Sequence, residues 1–333
     1  MLFSKLIQPY MDKGHFSAKI IGILHQFLSS YESVLINKGI DPHLHLQTMK
    51  DLVEHVDLQI THPYQFLPFH QKVHAPFDYH AFGINFIRPL INLDSSSLSG
   101  LSNLKKIRTQ LNLNHNVILL ANHQIEADPQ VIDIMLENED KALGNEMIFI
   151  AGERVVVDPL AVPFSKGRNL LCIYSKKYID HPPENRATKQ LHNKKTMDLM
   201  CNLLSEGGKC IYVALSGGRD RRNQENIVEL AAFDPNNLEM FQLMARKSKT
   251  PTHFYPLSLA TFNILPPPQF TQIELGEERI TQGGPVHIHF GEEIDFEQLT
   301  PPPGLDKFQI RQWKTDYVYN IVKQNYLRFN LNY

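Results

Sequence analysis

The chain has 333 residues, 42% of them hydrophobic, enough to bury a substantial core as two domains or as one large domain with an accessory. Its 33 basic and 35 acidic residues leave a net charge of −2, which excludes a global positive field that would recruit nucleic acid, so any anion site must be local. The cysteines Cys172, Cys201 and Cys210 lie in unrelated segments, without the close pairs of a zinc site or the even count of a disulfide framework, and this fits a reducing, intracellular compartment.

The N-terminus is too poor in apolar residues for a secretory signal and lacks an Arg- and Ser-rich leader, which points to a bacterial or a mature chain. Ser17 to Lys38 carries Ile20, Leu24, Phe27, Leu28, Tyr31, Val34 and Leu35 as a helical stripe ended by Gly39. Asp41-Pro42 opens a second helical pattern through Leu46, Met49, Leu52, Val53 and Val56, and Pro63, Pro68 and Pro76 punctuate the stretch after it. Residues 1–76 therefore read as a small helical domain, with 77–333 as a second, α/β domain. Nine of the 16 histidines fall in the first 80 residues, but no cysteine or carboxylate cluster joins His43 and His45, so no metal is expected.

Apolar runs predict strands at Asn116 to Ala121, Met147 to Ala151, Leu170 to Tyr174, Lys209 to Leu215, Phe254 to Ala260 and Val286 to Phe290. A helix over Asn193 to Ser205, stopped by Gly207-Gly208, leads straight into the fourth of these, half of a crossover unit. The expected fold is α/β, a mixed, largely parallel sheet with flanking helices. A last helix spans Asp306 to Tyr326, with Phe308, Ile310, Trp313, Tyr317, Ile321 and Val322 as its expected buried face. No run approaches the ~18 apolar residues of a membrane-spanning helix.

Asn122 to Asp128, Asn-His-Gln-Ile-Glu-Ala-Asp, joins the first strand to a helix that Asp128 and Pro129 are expected to open as N-cap and first helical residue. On a regular helix His123 and Asp128 would stand about 140° apart, whereas in a turn they can meet. A carboxylate on one imidazole nitrogen then leaves the other free to take a proton. These seven residues alone equally allow a capping aspartate beside an ordinary loop histidine. Ser216-Gly217-Gly218-Arg219-Asp220-Arg221-Arg222 comes directly after the fourth strand, at the end where open α/β sheets bind ligands. Glycines let backbone N–H groups approach an anion and guanidiniums hold two oxygens at once, while a solvated basic turn is the simpler reading for Arg222. Ala214 stands where a serine-esterase elbow around Ser216 requires glycine, and no nucleotide signature appears.

The string Asn122 to Pro129 resembles the soluble, plastid-type glycerol-3-phosphate 1-O-acyltransferases. Phe77-Asp78-Tyr79, Asn85 to Ile91, Asp158-Pro159-Leu160, Gly167 to Leu170, Tyr174 to Lys177 and Ser216 to Arg221 extend the likeness in family order over roughly residues 75 to 300. The resemblance implies an N-terminal helical bundle before a catalytic domain of the glycerolipid acyltransferase type. It implies His123 as base, Asp128 as its orienting partner, and Lys177, Arg219 and Arg221 on the phosphate of glycerol 3-phosphate, with Ser216, Gly217 and Gly218 as further candidates. The family has histidine where this chain has Tyr178, a phenol that brings no charge. The activity implied is acyl transfer from acyl-acyl carrier protein or acyl-CoA to the sn-1 hydroxyl, with no cofactor. A soluble protein of the bacterial cytoplasm or plastid stroma, with at most transient membrane-surface contact, goes with it. A lysophosphatidate acyltransferase, or a silent acyl-carrier or lipid-binding protein, would share much of this pattern.

Overall fold

The computed structural model describes residues 1–174, 179–180, 183–269 and 276–331. Near the N-terminus, α1 (Gln8–Asp12), α2 (Ala18–Asn37), α3 (Leu46–Thr61) and α4 (Tyr79–Ile87) succeed one another. Ser17 caps α2 by accepting the Ile20 N–H, and Gly39 at φ +70° lets the chain leave it. Asp41 accepts the His43 N–H ahead of Pro42 and starts the turn into α3.

The eight-stranded sheet contains β1 (Phe69–His70), β2 (Ser97–Ser99), β3 (Asn116–Ala121), β4 (Ile148–Gly152), β5 (Asn169–Ile173), β6 (Cys210–Ala214), β9 (Thr252–Ala260) and β10 (His287–Phe290), in the order β1-β5-β4-β6-β3-β9-β10-β2. Strands β5, β4, β6, β3 and β9 form a parallel block; β1 and β10 run against it, and β2 runs parallel to β10. A small hairpin, β7 (Arg221–Arg222) with β8 (Val228–Glu229), stands apart. The six expected strands lie within two residues of their expected bounds, whereas β1 and β2, two and three residues long, carry too little pattern to be read.

Alternation along each strand divides the core into two layers. Val117, Leu119 and Ala121 face a cluster that runs unbroken through Phe86 and Val53 to Phe3 and Leu24 of the N-terminal helices. Tyr31 of α2 ties this layer by donating its hydroxyl to Phe86 O at 2.7 Å. The same face takes α5 (Leu101–Asn112) and α6 (Asp128–Leu136), while short α7 (Lys141–Glu146), α8 (Glu153–Val157) and α9 (Val162–Ser165) connect strands. Ile118 and Leu120 face the other layer, built from α10 (Arg186–Glu206), α11 (Pro235–Ser248) and α12 (Lys307–Leu327).

Helix α12 begins on Asp306 with a capping box completed by Gln309, but its buried face differs from the expected one. Thr315, Val318, Val322, Asn325 and Tyr326 are buried, while Phe308 is 66% and Tyr317 38% exposed. The helix carries large apolar groups on several sides, and the stripe that meets β9 is fixed by the sheet, where Ser258 donates to Val322 O at 3.0 Å.

Candidate active site

Parallel neighbours β6, β3 and β9 end at one rim of the sheet, and the loops that leave them interlock. Asn122 donates to Leu259 O at 2.9 Å and to Asp220 Oδ2 at 2.8 Å, and accepts the Leu259 N–H at 2.8 Å. Gln124 Oε1 accepts the backbone N–H groups of Thr261 and Phe262 at 2.7 and 3.0 Å. Tyr212 donates to Asn122 O at 2.8 Å, and the Asp220 N–H reaches His123 O at 2.7 Å. Both amides are fully buried, so the residues on either side of His123 are held by saturated polar networks rather than by loop packing alone.

Within this frame His123 Nδ1 stands 2.8 Å from Asp128 Oδ2. The same oxygen accepts the Gln124 N–H at 2.9 Å and the Ile125 N–H at 3.3 Å, and Oδ1 accepts the Thr261 hydroxyl at 2.5 Å. Asp128 is therefore not the expected N-cap. It is the first residue of α6, Ala127 holds the cap position, and the carboxylate turns back over the loop, because those buried N–H groups and His123 need an acceptor within the protein. An oxygen already receiving two N–H groups must also accept from Nδ1, which fixes the proton there and leaves Nε2 as a bare acceptor. The Asp128 side chain is 0% exposed and His123 24%, so the carboxylate is sealed while part of the imidazole is open to solvent.

The loop after β6 brings the other candidates to the same rim. Gly217 takes φ +64°, and Ser216 closes the turn by donating its hydroxyl to Gly218 O at 2.6 Å. Open space lies where a Gly218 side chain would be. Arg219 is held by Glu277, its Nη2 at 2.5 and 2.7 Å from the two carboxylate oxygens. Arg221 makes no ion pair among the described residues; its Nη1 donates to Arg219 O and Asp220 O at 3.2 Å. Burial, with Arg219 beside it, lowers the Arg221 guanidinium pKa below its usual value, and Glu277 and Asp220 offset this only in part. Lys177 and Tyr178 lie outside the described residues.

Around these groups runs a buried charge network that sequence reading missed. Glu277 also takes Arg154 Nη1 at 3.1 Å, Glu126 takes Arg279 Nε at 3.0 Å, and Arg279 Nη2 lies 3.3 Å from Asp158 Oδ2. Desolvation raises the Glu126 pKa, but Arg279 and Arg219 more than offset it and hold the carboxyl below its usual range. Asp220, by contrast, is raised to about 6 by burial despite its amide donors. Glu126, inside the seven-residue string, and Asp158, inside the Asp158-Pro159-Leu160 motif, stand in stretches the sequence singles out; Thr261 and Glu277 are far away in sequence.

A family model described as Acyltransferase matches residues 98–260. A chloroplastic glycerol-3-phosphate acyltransferase of Cucurbita moschata is 35% identical over 297 residues, 88% of this chain and 66% of the relative. The chloroplastic glycerol-3-phosphate acyltransferase of Arabidopsis thaliana is 33% identical over 297 residues, 88% of this chain and 65% of the relative. The chain thus spans just under two thirds of the length of these relatives. The solved 1-acyl-sn-glycerophosphate (LPA) acyltransferase of Thermotoga maritima has a TM-score of 0.43 at 18% identity, over 76% of this chain and 79% of that one, a likeness too slight to bear on fold or activity. An acyltransferase domain thus lies across its central strands, and the chain is a homologue of the chloroplastic glycerol-3-phosphate acyltransferases.

Proposed function

We propose that this protein transfers an acyl group from a thioester to the sn-1 hydroxyl of glycerol 3-phosphate. The observation that carries the reading is His123 with its Nδ1 held on the buried Asp128 and its imidazole partly open to solvent. Nε2 takes the hydroxyl proton as the oxygen attacks the thioester carbonyl. The C–O bond forms, the C–S bond breaks, and the imidazolium, stabilised by Asp128, returns the proton to the leaving thiolate. This route needs neither an acyl-enzyme nor a metal. Burial pushes the Cys172 and Cys210 thiols up to about 12, so neither offers a competing thiolate.

Arg221, which bonds only to backbone carbonyls among the described residues, supplies the charge for the acceptor's phosphate, and the Gly217-Gly218 turn gives it backbone access. Arg219 joins only by giving up a contact with Glu277; Lys177 is proposed as a third cation and Tyr178 as a lesser contact. The donor is an acyl carrier protein or coenzyme A thioester. The setting proposed is bacterial cytoplasm or plastid stroma, with transient contact at a lipid surface; among the described residues no helix is long and apolar enough to cross a membrane.

The test is turnover of labelled glycerol 3-phosphate with each thioester. Labelled lysophosphatidate as product supports the reading. Acylation of added lysophosphatidate instead would assign the chain to the related reaction, and binding without turnover would make it a lipid- or acyl-carrier-binding protein.

A further inference from the structure

Away from the rim, a cavity of about 140 Å³ opens where α3 meets the C-terminal end of α9, lined by His55, Gln59, His62, Tyr64, Tyr79 and Lys166, with apolar walls. Its size is well short of the ~300 Å³ at which pockets for drug-sized ligands begin, and suits an ion or one group of a larger molecule.

The polar groups in it share one deficit. Lys166 Nζ donates to the Tyr79 hydroxyl at 2.6 Å and lies 3.8 and 4.6 Å from the ring centres of Tyr79 and Tyr64, yet it meets no carboxylate among the described residues. The Tyr79 hydroxyl, whose oxygen accepts from the ammonium, also stands 3.2 Å from His55 Nδ1 and can donate its proton there. His55 Nε2 then carries the imidazole proton, with no acceptor among the described residues. Gln59, 7% exposed, gives its carbonyl to the Tyr64 N–H at 2.9 Å and leaves its amide nitrogen equally without a protein acceptor. A partly buried cation whose protein acceptor is a neutral hydroxyl, with two further donors that have none among the described residues, thus lines a small cavity.

The backbone that carries Lys166 is fixed. Val73 donates to Lys166 O at 2.8 Å, His70 Nε2 stands 3.2 Å from the same oxygen, and a side chain on Gly167 would strike Tyr79 O. Burial lowers the pKa of both Lys166 and His55, and Lys166 lowers His55 further; Asp51 and Glu54 on α3 act the other way on His55 without bonding to it.

We propose that this cavity is a binding site for a small oxyanion, received by Lys166, His55 and Gln59 and clamping the N-terminal helices to the α/β layer. The site lies outside the rim that carries His123, and the proposal is independent of the acyl-transfer reading.

Imidazole NMR of the full chain with inorganic phosphate tests it. An anion beside His55 favours its charged form, so the His55 pKa should rise by about one unit in phosphate relative to chloride at equal ionic strength. Lys166→Met should remove that response. Gln59→Glu, which keeps the carbonyl for Tyr64, should raise the His55 pKa without phosphate and block any further rise. Glycerol 3-phosphate as a second titrant separates the sources: a response to inorganic phosphate alone marks a free-ion site, and a response to both marks a site for a phosphoryl group on a larger molecule. A His55 titration identical in phosphate and chloride, or a phosphate response undiminished in both variants, overturns the proposal.

Discussion

Asp128 gives His123 an oxygen that is already spoken for: the Oδ2 that lies 2.8 Å from His123 Nδ1 is the one that holds the Gln124 backbone. Orientation of the imidazole and closure of the loop are thus one interaction. Asparagine at 128 can keep its carbonyl toward His123 and Gln124 and turn its amide to the Thr261 hydroxyl, so the geometry survives without the charge. Asp128→Asn should therefore lower kcat by roughly 10² to 10⁴-fold with a stability loss of only about 1 to 2 kcal/mol. A melting temperature that falls sharply while the rate per folded molecule holds would reduce Asp128 to a structural brace.

Thr261→Val removes the hydroxyl from Asp128 Oδ1 and leaves that oxygen buried without a donor. The expected cost is about 1 to 3 kcal/mol in urea unfolding, with a smaller fall in kcat than for Asp128→Asn because Nδ1 keeps its partner. Equal rate losses in the two variants would mean that Thr261 does more than hold the carboxylate.

The two arginines should separate. Arg221→Ala should weaken glycerol 3-phosphate binding by roughly 10 to 150-fold, from charge-assisted bonds worth about 1.5 to 3 kcal/mol, and barely change stability. Arg219→Ala strips a buried carboxylate of its two-point partner, so it should also destabilise, toward the low end of about 3 to 5 kcal/mol because Arg154 remains on Glu277. Paired calorimetry and substrate titration on both variants decide this. Two stable variants with unchanged acceptor affinity would place the phosphate elsewhere.

Acid stability should report on Glu126. Its folded pKa is depressed, so its contribution is fully present above the unfolded carboxyl value near ~4.3 and is lost as pH falls through the folded value. Glu126→Gln should be less stable at neutral pH and should lose less on going from about pH 5 to pH 3. Parallel stability curves for wild type and variant would show that Glu126 is not paired in solution.

Distance along the chain decides how much of the site is legible in the sequence. The β3 run and the His123 to Asp128 turn are local, and period and spacing carry them. The supports are not local: Thr261 reaches Asp128 across 133 positions and Glu277 reaches Arg219 across 58. Nothing in the Arg219 to Arg222 run tells which guanidinium is already neutralised. The Asp128-Pro129 pair looks like a helix cap because capping chemistry and loop-closing chemistry use the same carboxylate; only the direction in which it bonds separates them. On α12 the apolar residues outnumber the positions the sheet can cover, so its buried stripe had to come from β9.

The central claim is that His123 takes the proton of the acceptor hydroxyl, and kcat of His123→Ala with labelled glycerol 3-phosphate and a saturating thioester tests it most directly. A fall of roughly 10² to 10⁴-fold, with acceptor affinity and melting temperature near wild type, is the result predicted for a lost general base. A variant that is folded, binds the acceptor and turns over near the wild-type rate would contradict it.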